Sequence, residues 1–249
     1  MESVVTKPCI VIPVYNHERA IVGVVDGLRG FGVPCILVDD GSSSECARVL
    51  DTLAATEGVS LVRLAQNSGK GAAVLAGFDE AAKRGYSHVL QIDADGQHDV
   101  GDIPLFLKLA ADHPQAVING RPIYDESVPK ARLYGRYATH IWVWINTLSL
   151  QIHDSMCGFR VYPVAAVQSL QARHRPGSRM NFDTDILVRL YWAGLQVINQ
   201  PTRVSYPSDG VSHFRVWADN VQISCMHARL FFGMLPRIPK LVARHFGQS

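Results

Sequence analysis

Four short apolar runs, each followed by a segment long enough for a helix, limit most strongly what this chain can fold into. The runs are Cys9–Tyr15, Cys35–Val38, Ser60–Leu64 and His88–Ile92, and a fifth strand is predicted at Ala116–Asn119. Runs that are apolar throughout are typical of parallel strands buried on both faces. Strands that alternate with helices favour a parallel sheet wound through right-handed crossovers. The pattern therefore predicts an α/β fold with a Rossmann-type, mostly parallel sheet flanked by helices.

Helical periodicity supports this interpretation. After Asn16 the apolar residues recur at helical spacing, namely Ile21, Val24, Val25 and Leu28. Ser42 and Glu45 form a capping-box pattern that predicts the start of a second helix. An apolar helical run with two tryptophans, Ile141–Leu148, is interpreted mainly as core packing, with a lipid-facing surface as the alternative.

The length of 249 residues suits one large α/β domain, which we place at residues 1–215. Residues 216–249 are predicted to form a short C-terminal helical appendage with a basic tail. The net charge of +2 gives no reason to expect a nucleic-acid partner. Five cysteines without a C-x-x-C pair favour reduced core thiols over disulfides or zinc. The absence of a signal-like start or a long apolar segment predicts a cytoplasmic protein.

Carboxylates follow two of the predicted strands. Asp93 and Asp95 come directly after the run that begins at His88, and Asp39 and Asp40 follow the run that begins at Cys35. In open α/β sheets ligands bind beyond the carboxyl ends of the strands. Oxygen ligands there suit a hard divalent cation that also contacts substrate phosphates. An isolated Asp-x-Asp is also compatible with a solvated turn, but its position after a buried strand favours a metal site.

The glycine loop Gly69-Lys70-Gly71 does not match the established nucleotide signatures. It lacks the spaced third glycine of a dinucleotide fingerprint, and Lys70 is not followed by Ser or Thr as in a P-loop. A dehydrogenase or a P-loop enzyme is therefore disfavoured. A simple strand-to-helix turn is the alternative explanation of the loop.

Taken together and in order, these motifs resemble family 2 glycosyltransferases of the GT-A fold, in particular the dolichyl-phosphate mannose synthase-like branch. The matching segments are Ile12–Asn16, Val38–Ser42, Asn67–Gly71, Asp93–His98, Gly120–Arg121, Asp154 with Gly158–Arg160, and Phe182–Asp185 with Arg189 and Gly194. The resemblance covers about residues 8–215. It implies an inverting transfer of a hexose or hexosamine from a nucleoside-diphosphate sugar to a hydroxyl or lipid-phosphate acceptor.

The resemblance also implies which residues contact the donor. The nucleotide-sugar-binding set is Pro13, Tyr15, Glu18, Asp39, Lys70, Asp93 and His213. Asp95 and Gln97 would hold Mg²⁺ or Mn²⁺. His213 stands where this branch has a lysine that approaches the diphosphate, so its charge would depend on protonation.

On the acceptor side, the resemblance places the catalytic base at Asp183, with Asp185 as the second candidate. The two residues are about 200° apart on a helix, so both cannot face one pocket. Acids in the first turn are also favoured by the helix dipole alone. A lipid-phosphate acceptor is already anionic and requires no strong base. Arg121 and Arg132 are predicted to contact the acceptor or its phosphate.

Two other functions remain open from the sequence. One is a sugar-nucleotide-binding protein without turnover, and the other is a sugar nucleotidyltransferase. The latter would need a glycine- and arginine-rich loop after the first strand, which Pro13–Asn16 does not provide. If the acceptor is lipid-linked, peripheral attachment to the inner face of a membrane is expected.

Overall fold

The computed structural model describes residues 6–124, 128, 130–205 and 215–246, leaving out the side chains at 130–134 and 245–246. A seven-stranded sheet in the order β3-β2-β1-β4-β6-β5-β7 forms its centre. The strands are β1 (Pro8–Val14), β2 (Cys35–Asp39), β3 (Val59–Arg63), β4 (His88–Gln91), β5 (Val117–Tyr124), β6 (Arg160–Pro163) and β7 (Val197–Val204). The helices are α1 (Ala20–Leu28), α2 (Ser44–Ala54), α3 (Lys70–Lys83), α4 (Ile103–Asp112), α5 (Lys130–Thr147), α6 (Val164–Gln171), α7 (Phe182–Ala193), α8 (Val216–Met234) and α9 (Ile238–Phe246).

The sheet is mostly parallel, as the sequence predicts. The first four strands pair in parallel, because crossover helices connect them. β1, β2 and β4 are buried, whereas the edge strand β3 is only partly buried. One core lies between the sheet and α3, α6 and α7, and a second core lies between the sheet and α1, α2 and α4. The apolar side chains predicted for α1 are all buried in the second core.

Strand β6 is the exception, because it runs antiparallel between β4 and β5. Its first residue, Arg160, therefore lies at the edge where β4 and β5 end. Arg160 pairs with Gln91 on one side and with Asn119 on the other. Three polar residues in register thus cross the middle of the sheet.

Three local predictions are wrong in detail. The N-cap of α2 is Ser43, whose Oγ accepts a hydrogen bond from Cys46 N, whereas Ser42 Oγ accepts from Asn16 N. The run Ile141–Leu148 is not mainly core: Val143 is buried, but Ile141 and Trp142 are 54% and 44% exposed. Cys225 is likewise exposed, unlike the other four cysteines.

The C-terminal helices pack on the main body of the protein. Met226 and Leu230 of α8 are buried in the core that contains Ile186 and Leu190 of α7. The predicted division at residue 215 stays a prediction. Among the described helices, none combines the length and the hydropathy that a bilayer-spanning segment needs.

Arg244 attaches α9 to the C-terminal end of α7. Its Nη1 and Nη2 atoms donate to the carbonyl oxygens of Tyr191 and Leu195, both at 2.7 Å. Its guanidinium carbon lies 4.2 Å from the centroid of the Tyr191 ring. Tyr191 O also accepts from Gly194 N, so Arg244 adds a second hydrogen bond at this carbonyl and binds the segment just beyond the end of α7.

We expect Arg244→Ala to lower the free energy of unfolding by about 1–3 kcal/mol, because two charged hydrogen bonds and a cation–π contact are lost. Denaturant titration followed by circular dichroism measures the change. Lys240→Ala, which truncates an exposed cation on the same helix, is the matched control. Equal free energies of unfolding for the two variants would show that Arg244 does not stabilise the α7–α9 contact.

Candidate active site

A crevice lies at the edge of the sheet where the parallel strands end. β1, β2 and β4 end at this edge, and so do β5 and β7, which are parallel to each other and antiparallel to β6. The N-terminal ends of α3 and α7 reach the same edge. The sequence predicts ligand binding at this place in an open α/β sheet.

Lys70, Asp93 and Asp183 form an ion triad in the crevice. Lys70 Nζ lies 2.8 Å from Asp93 Oδ1 and 2.8 Å from Asp183 Oδ2. Burial disfavours the ammonium form, but Asp183 and Asp93 outweigh it and raise the pKa of Lys70. Burial also works against the charge of Asp93, yet Lys70 and His98 hold the pKa of Asp93 below its usual value. Lys70 and Asp93 are therefore both charged at neutral pH.

The loop before α3 positions Lys70. Asp40 accepts hydrogen bonds from Ser68 N and Gly69 N, at 2.7 and 2.9 Å. Gly69 has a φ of 99°, and a Cβ there would lie 2.5 Å from Ser178 O, so both the turn and the packing need glycine. Lys70 then begins the helix with its side chain directed at the two carboxylates.

Both oxygens of Asp183 are engaged within the protein. Gln91 Nε2 donates to Asp183 Oδ1 at 2.9 Å, and Lys70 holds Oδ2. Arg160 Nη1 donates to the main-chain oxygen of Asp183 at 2.6 Å. The Asp183 side chain is only 7% exposed. Asp183 is thus held in place by three groups beneath the crevice.

Asp95 differs from Asp93 and Asp183, because the described ion pairs take up those two carboxylates and not Asp95. Its Oδ1 accepts from Gln97 N at 3.1 Å. Burial and the nearby Asp93 charge raise the pKa of Asp95. A divalent cation would relieve both effects, and the oxygens of Asp95 and Gln97 are donors that Mg²⁺ and Mn²⁺ accept. The residues present therefore fit the predicted metal.

Four other residues that are predicted to bind the nucleotide sugar lie around the ends of β1 and β2. Pro13 is buried in β1, and Tyr15 and Glu18 follow that strand and are partly buried. Asp39 is buried at the end of β2, where it accepts from Ser42 N and pairs with Arg63 Nε at 2.8 Å. The structure thus brings these residues to the crevice edge, but their contacts with a nucleotide stay a prediction.

Asp185 lies away from the ion triad. It is fully buried, its Oδ1 pairs with Arg189 Nε at 2.7 Å, and its Oδ2 accepts from Gly177 N at 2.8 Å. This agrees with the expectation that Asp183 and Asp185 face different directions. The observed contacts give Asp185 a role in fixing the start of α7.

The predicted acceptor residues are only partly described. Arg121 is exposed on β5, near the crevice edge. The side chain of Arg132 and the whole of His213 lie outside the described residues.

The sequence did not predict a cluster of charged residues around Asp154. Asp154 pairs with Arg136 Nε at 2.5 Å and with His140 Nε2 at 3.2 Å. Burial opposes the Asp154 charge, but His140 and Arg136 lower its pKa.

Gly158 explains how the segment after Asp154 supports the crevice. Asp154 Oδ1 accepts from Met156 N and Cys157 N, which fixes the turn that leads to Gly158. A Cβ at Gly158 would lie 2.3 Å from Asp93 Oδ2. Asp93 can therefore occupy its position only because residue 158 has no side chain.

Sequence reasoning missed Gln91 and did not select Asp40 or Arg160 as site residues. Gln91 was detectable in principle, because it is a polar residue inside an apolar run. Asp40 sits beside a selected residue, and only the structure shows that it binds the glycine loop. Arg160 belongs to a segment that resembles the family, and only the structure shows that its side chain is completely buried.

Comparison with known proteins supports a common family. The sequence model described as "Glycosyl transferase family 2" matches residues 9–168. The polyprenol monophosphomannose synthase of Mycolicibacterium smegmatis is 28% identical over 214 residues, covering 83% of this chain and 80% of its own. The undecaprenyl-phosphate mannosyltransferase of Micrococcus luteus is 26% identical over 198 residues, covering 77% and 80%.

The fold is also similar to that of a solved structure. Glucosyl-3-phosphoglycerate synthase from Mycobacterium tuberculosis, crystallised with Mn²⁺, uridine diphosphate and phosphoglyceric acid, superposes with a TM-score of 0.66. The two sequences are 16% identical, and the similarity covers 93% of this chain and 78% of the other. The GT-A-like fold predicted from the sequence is thereby confirmed.

Proposed function

Because the chain belongs to glycosyl transferase family 2, we propose that it transfers a sugar from a nucleoside-diphosphate sugar to a lipid-linked phosphate. Family membership rules against the two alternatives left open by the sequence, a binding protein without turnover and a nucleotidyltransferase. The similarity to polyprenyl-phosphate sugar transferases supports the predicted branch.

The observation that carries the acceptor class is the environment of Asp183. A general base has to lie within hydrogen-bond reach of the proton that it removes. Asp183 already accepts from Gln91 and Lys70 and is almost entirely buried. Each carboxylate oxygen keeps a lone pair, but the side chain is only 7% exposed, so an acceptor hydroxyl has little access to it. A phosphate oxygen is ionised before it reaches the crevice, so it can attack the sugar without a protein base.

In this proposal the residues of the chain bind and orient both substrates. Pro13, Tyr15 and Asp39 line the base and ribose, and Asp93 lies near the donor sugar. Asp95 and Gln97 would hold Mg²⁺ or Mn²⁺, which supplies positive charge to the departing nucleoside diphosphate. The acceptor oxygen forms a bond to the anomeric carbon while the bond to the diphosphate breaks, so the configuration inverts.

An apolar groove supports the proposal that the acceptor carries a lipid. About 500 Å³ in volume, it lies between α5 and α8 and is lined by side chains that include Trp142, Ile223, Phe231 and Phe232. Arg136 on α5 pairs with Asp154, and the turn that Asp154 fixes leads to Gly158 beside Asp93. Apolar side chains exposed near the groove are Ile141, Ile145, Trp217 and Val221. We infer peripheral attachment to a membrane surface through these residues.

A direct assay tests the acceptor class. Purified protein with Mn²⁺ is incubated with UDP- and GDP-sugars and with either undecaprenyl phosphate or undecaprenol, which differ only in the phosphate. We expect a glycosyl phosphodiester, detected by mass spectrometry, with the phosphate alone. A product formed on the alcohol, or on phosphoglyceric acid but on neither lipid, would contradict the proposal.

Asp183→Asn gives a second test. We expect turnover on undecaprenyl phosphate to fall less than about tenfold, because no proton has to be removed and Gln91 can reverse its amide to match asparagine. Steady-state kinetics at saturating donor measures the change, with calorimetric donor affinity as the control. A fall of about a hundredfold or more at unchanged donor affinity would show that the Asp183 carboxylate takes part in the transfer itself, which would contradict the proposal.

A further inference from the structure

The ion triad places a fixed positive charge in the crevice that is proposed to hold a divalent cation. Lys70 Nζ contacts both oxygens of Asp93, at 2.8 and 3.0 Å, as well as Asp183. The Lys70 side chain is 17% exposed, so solvent screens its charge only in part. Asp93 and Asp95 are two residues apart in one turn, which brings Lys70 close to the proposed ligand.

Some carboxylates in the crevice have a cationic partner among the described ion pairs and one does not. Asp93 and Asp183 share Lys70, and Arg160, which is fully buried, donates to the main-chain oxygen of Asp183. The described ion pairs leave Asp95 as the carboxylate available to a cation, and the other proposed ligand, Gln97, is neutral. A site with one available carboxylate attracts a cation weakly unless a substrate phosphate completes it.

We infer that Lys70 is an internal counter-cation that weakens the affinity of the crevice for a free divalent cation. The inference rests on the proposed metal site at Asp95 and Gln97. Lys70 repels a second cation and neutralises Asp93, which would otherwise add to the attraction of Asp95. The diphosphate of the donor brings the missing negative charge. The cation is therefore bound mainly together with the donor, and Lys70 positions Asp93 and Asp183 without serving as a metal ligand.

The test measures Mn²⁺ binding to the protein alone, by electron paramagnetic resonance or calorimetry, so it does not depend on activity. We expect Lys70→Gln to tighten Mn²⁺ binding on the order of tenfold, because one nearby positive charge is removed. Lys70→Arg keeps the charge and should bind Mn²⁺ as the wild type does. Lys83→Gln removes an exposed charge, 75% accessible, from the other end of the same helix and should change nothing.

A second pair of variants tests the inference if Lys70→Gln does not fold. Asp183→Asn removes one partner of Lys70, so the double variant Lys70→Gln/Asp183→Asn removes one charge of each sign. Comparison of this double variant with Asp183→Asn again isolates the charge of Lys70. We expect the double variant to bind Mn²⁺ more tightly, and equal or weaker binding in both backgrounds would overturn the inference.

The same measurements separate this inference from the proposed function. Mn²⁺ binding that disappears in Asp95→Ala, measured with and without UDP, establishes the site itself. If no variant shows binding that depends on Asp95, the metal site of the proposed function is overturned. If such binding exists but does not respond to Lys70→Gln, only the role of Lys70 is overturned.

Discussion

Asp95→Asn is expected to reduce turnover by about 10³-fold or more and to remove most Mn²⁺-dependent binding of the donor. Asparagine keeps the shape of the side chain and its contact with Gln97 N, but it loses the charge that would hold the cation. Without that cation the departing diphosphate loses several kcal/mol of stabilisation, which corresponds to this loss of rate. Calorimetric titration of UDP with and without Mn²⁺ measures the binding part, and steady-state kinetics measures the rate.

Asp99→Asn is the matched control, because it removes a carboxylate charge from the same loop at an exposed position. Asp99 caps the turn that follows by accepting from Gly101 N, a role that asparagine can keep. We expect its turnover to stay within about threefold of the wild type. Equal losses in the two variants would point to a distorted loop rather than to a metal ligand. Full activity of Asp95→Asn would remove Asp95 from the site.

Gly158→Ala is expected to reduce turnover by about 10²-fold or more while the protein remains folded. The added Cβ would meet Asp93 Oδ2 at 2.3 Å, so the Asp93 carboxyl has to move away from its contact with Lys70. Misplacement of a reacting group by about 1 Å is enough for a loss of this size. The free energy of unfolding should fall by only about 1–3 kcal/mol, the usual range for overpacking.

The measurements are kinetics at saturating donor and a denaturant titration of the same protein. Gly23→Ala, at a helical position where an added Cβ meets nothing within 4 Å, controls for the replacement of glycine itself. We expect this control to keep full activity and wild-type stability or slightly more. Turnover of Gly158→Ala within twofold of the wild type would show that the position of Asp93 does not matter for catalysis.

Much of the fold could be predicted from the sequence because its first strands are mainly apolar. Such runs are interpretable one at a time, as β1, β2 and β4 show. Strand β6 could not be recognised in this way, because it has four residues and begins with an arginine. Whether that arginine is solvated or buried depends on the strands beside it, and local sequence does not contain this information.

The site residues also divide into those that local sequence reveals and those whose roles depend on distant parts of the chain. Asp93 and Asp95 are recognisable because they follow a buried strand, whereas Asp183 is selected through the resemblance to the family. The contacts that decide their roles join residues far apart in the chain, such as Gln91 with Asp183 and Lys70 with Asp93. Lys70 was predicted to bind the nucleotide sugar, and the structure shows in addition that it pairs with two carboxylates. Only the structure shows that Asp93 and Asp183 are both paired with Lys70, whereas the described ion pairs do not include Asp95.

The antiparallel insertion of β6 has a consequence for how the chain acquires its structure during synthesis. β5 pairs with β6 and β7 but not with β4, so it cannot join the sheet when it leaves the ribosome. It has to wait until residues 160–163 have been made and have added to the free edge of β4. The part of the sheet formed by β1–β4 can thus form early, whereas β5, β6 and β7 depend on contacts of long sequence separation, which form slowly. Until then, β4 remains an open edge that another chain could pair with, so chaperone binding is expected at this stage.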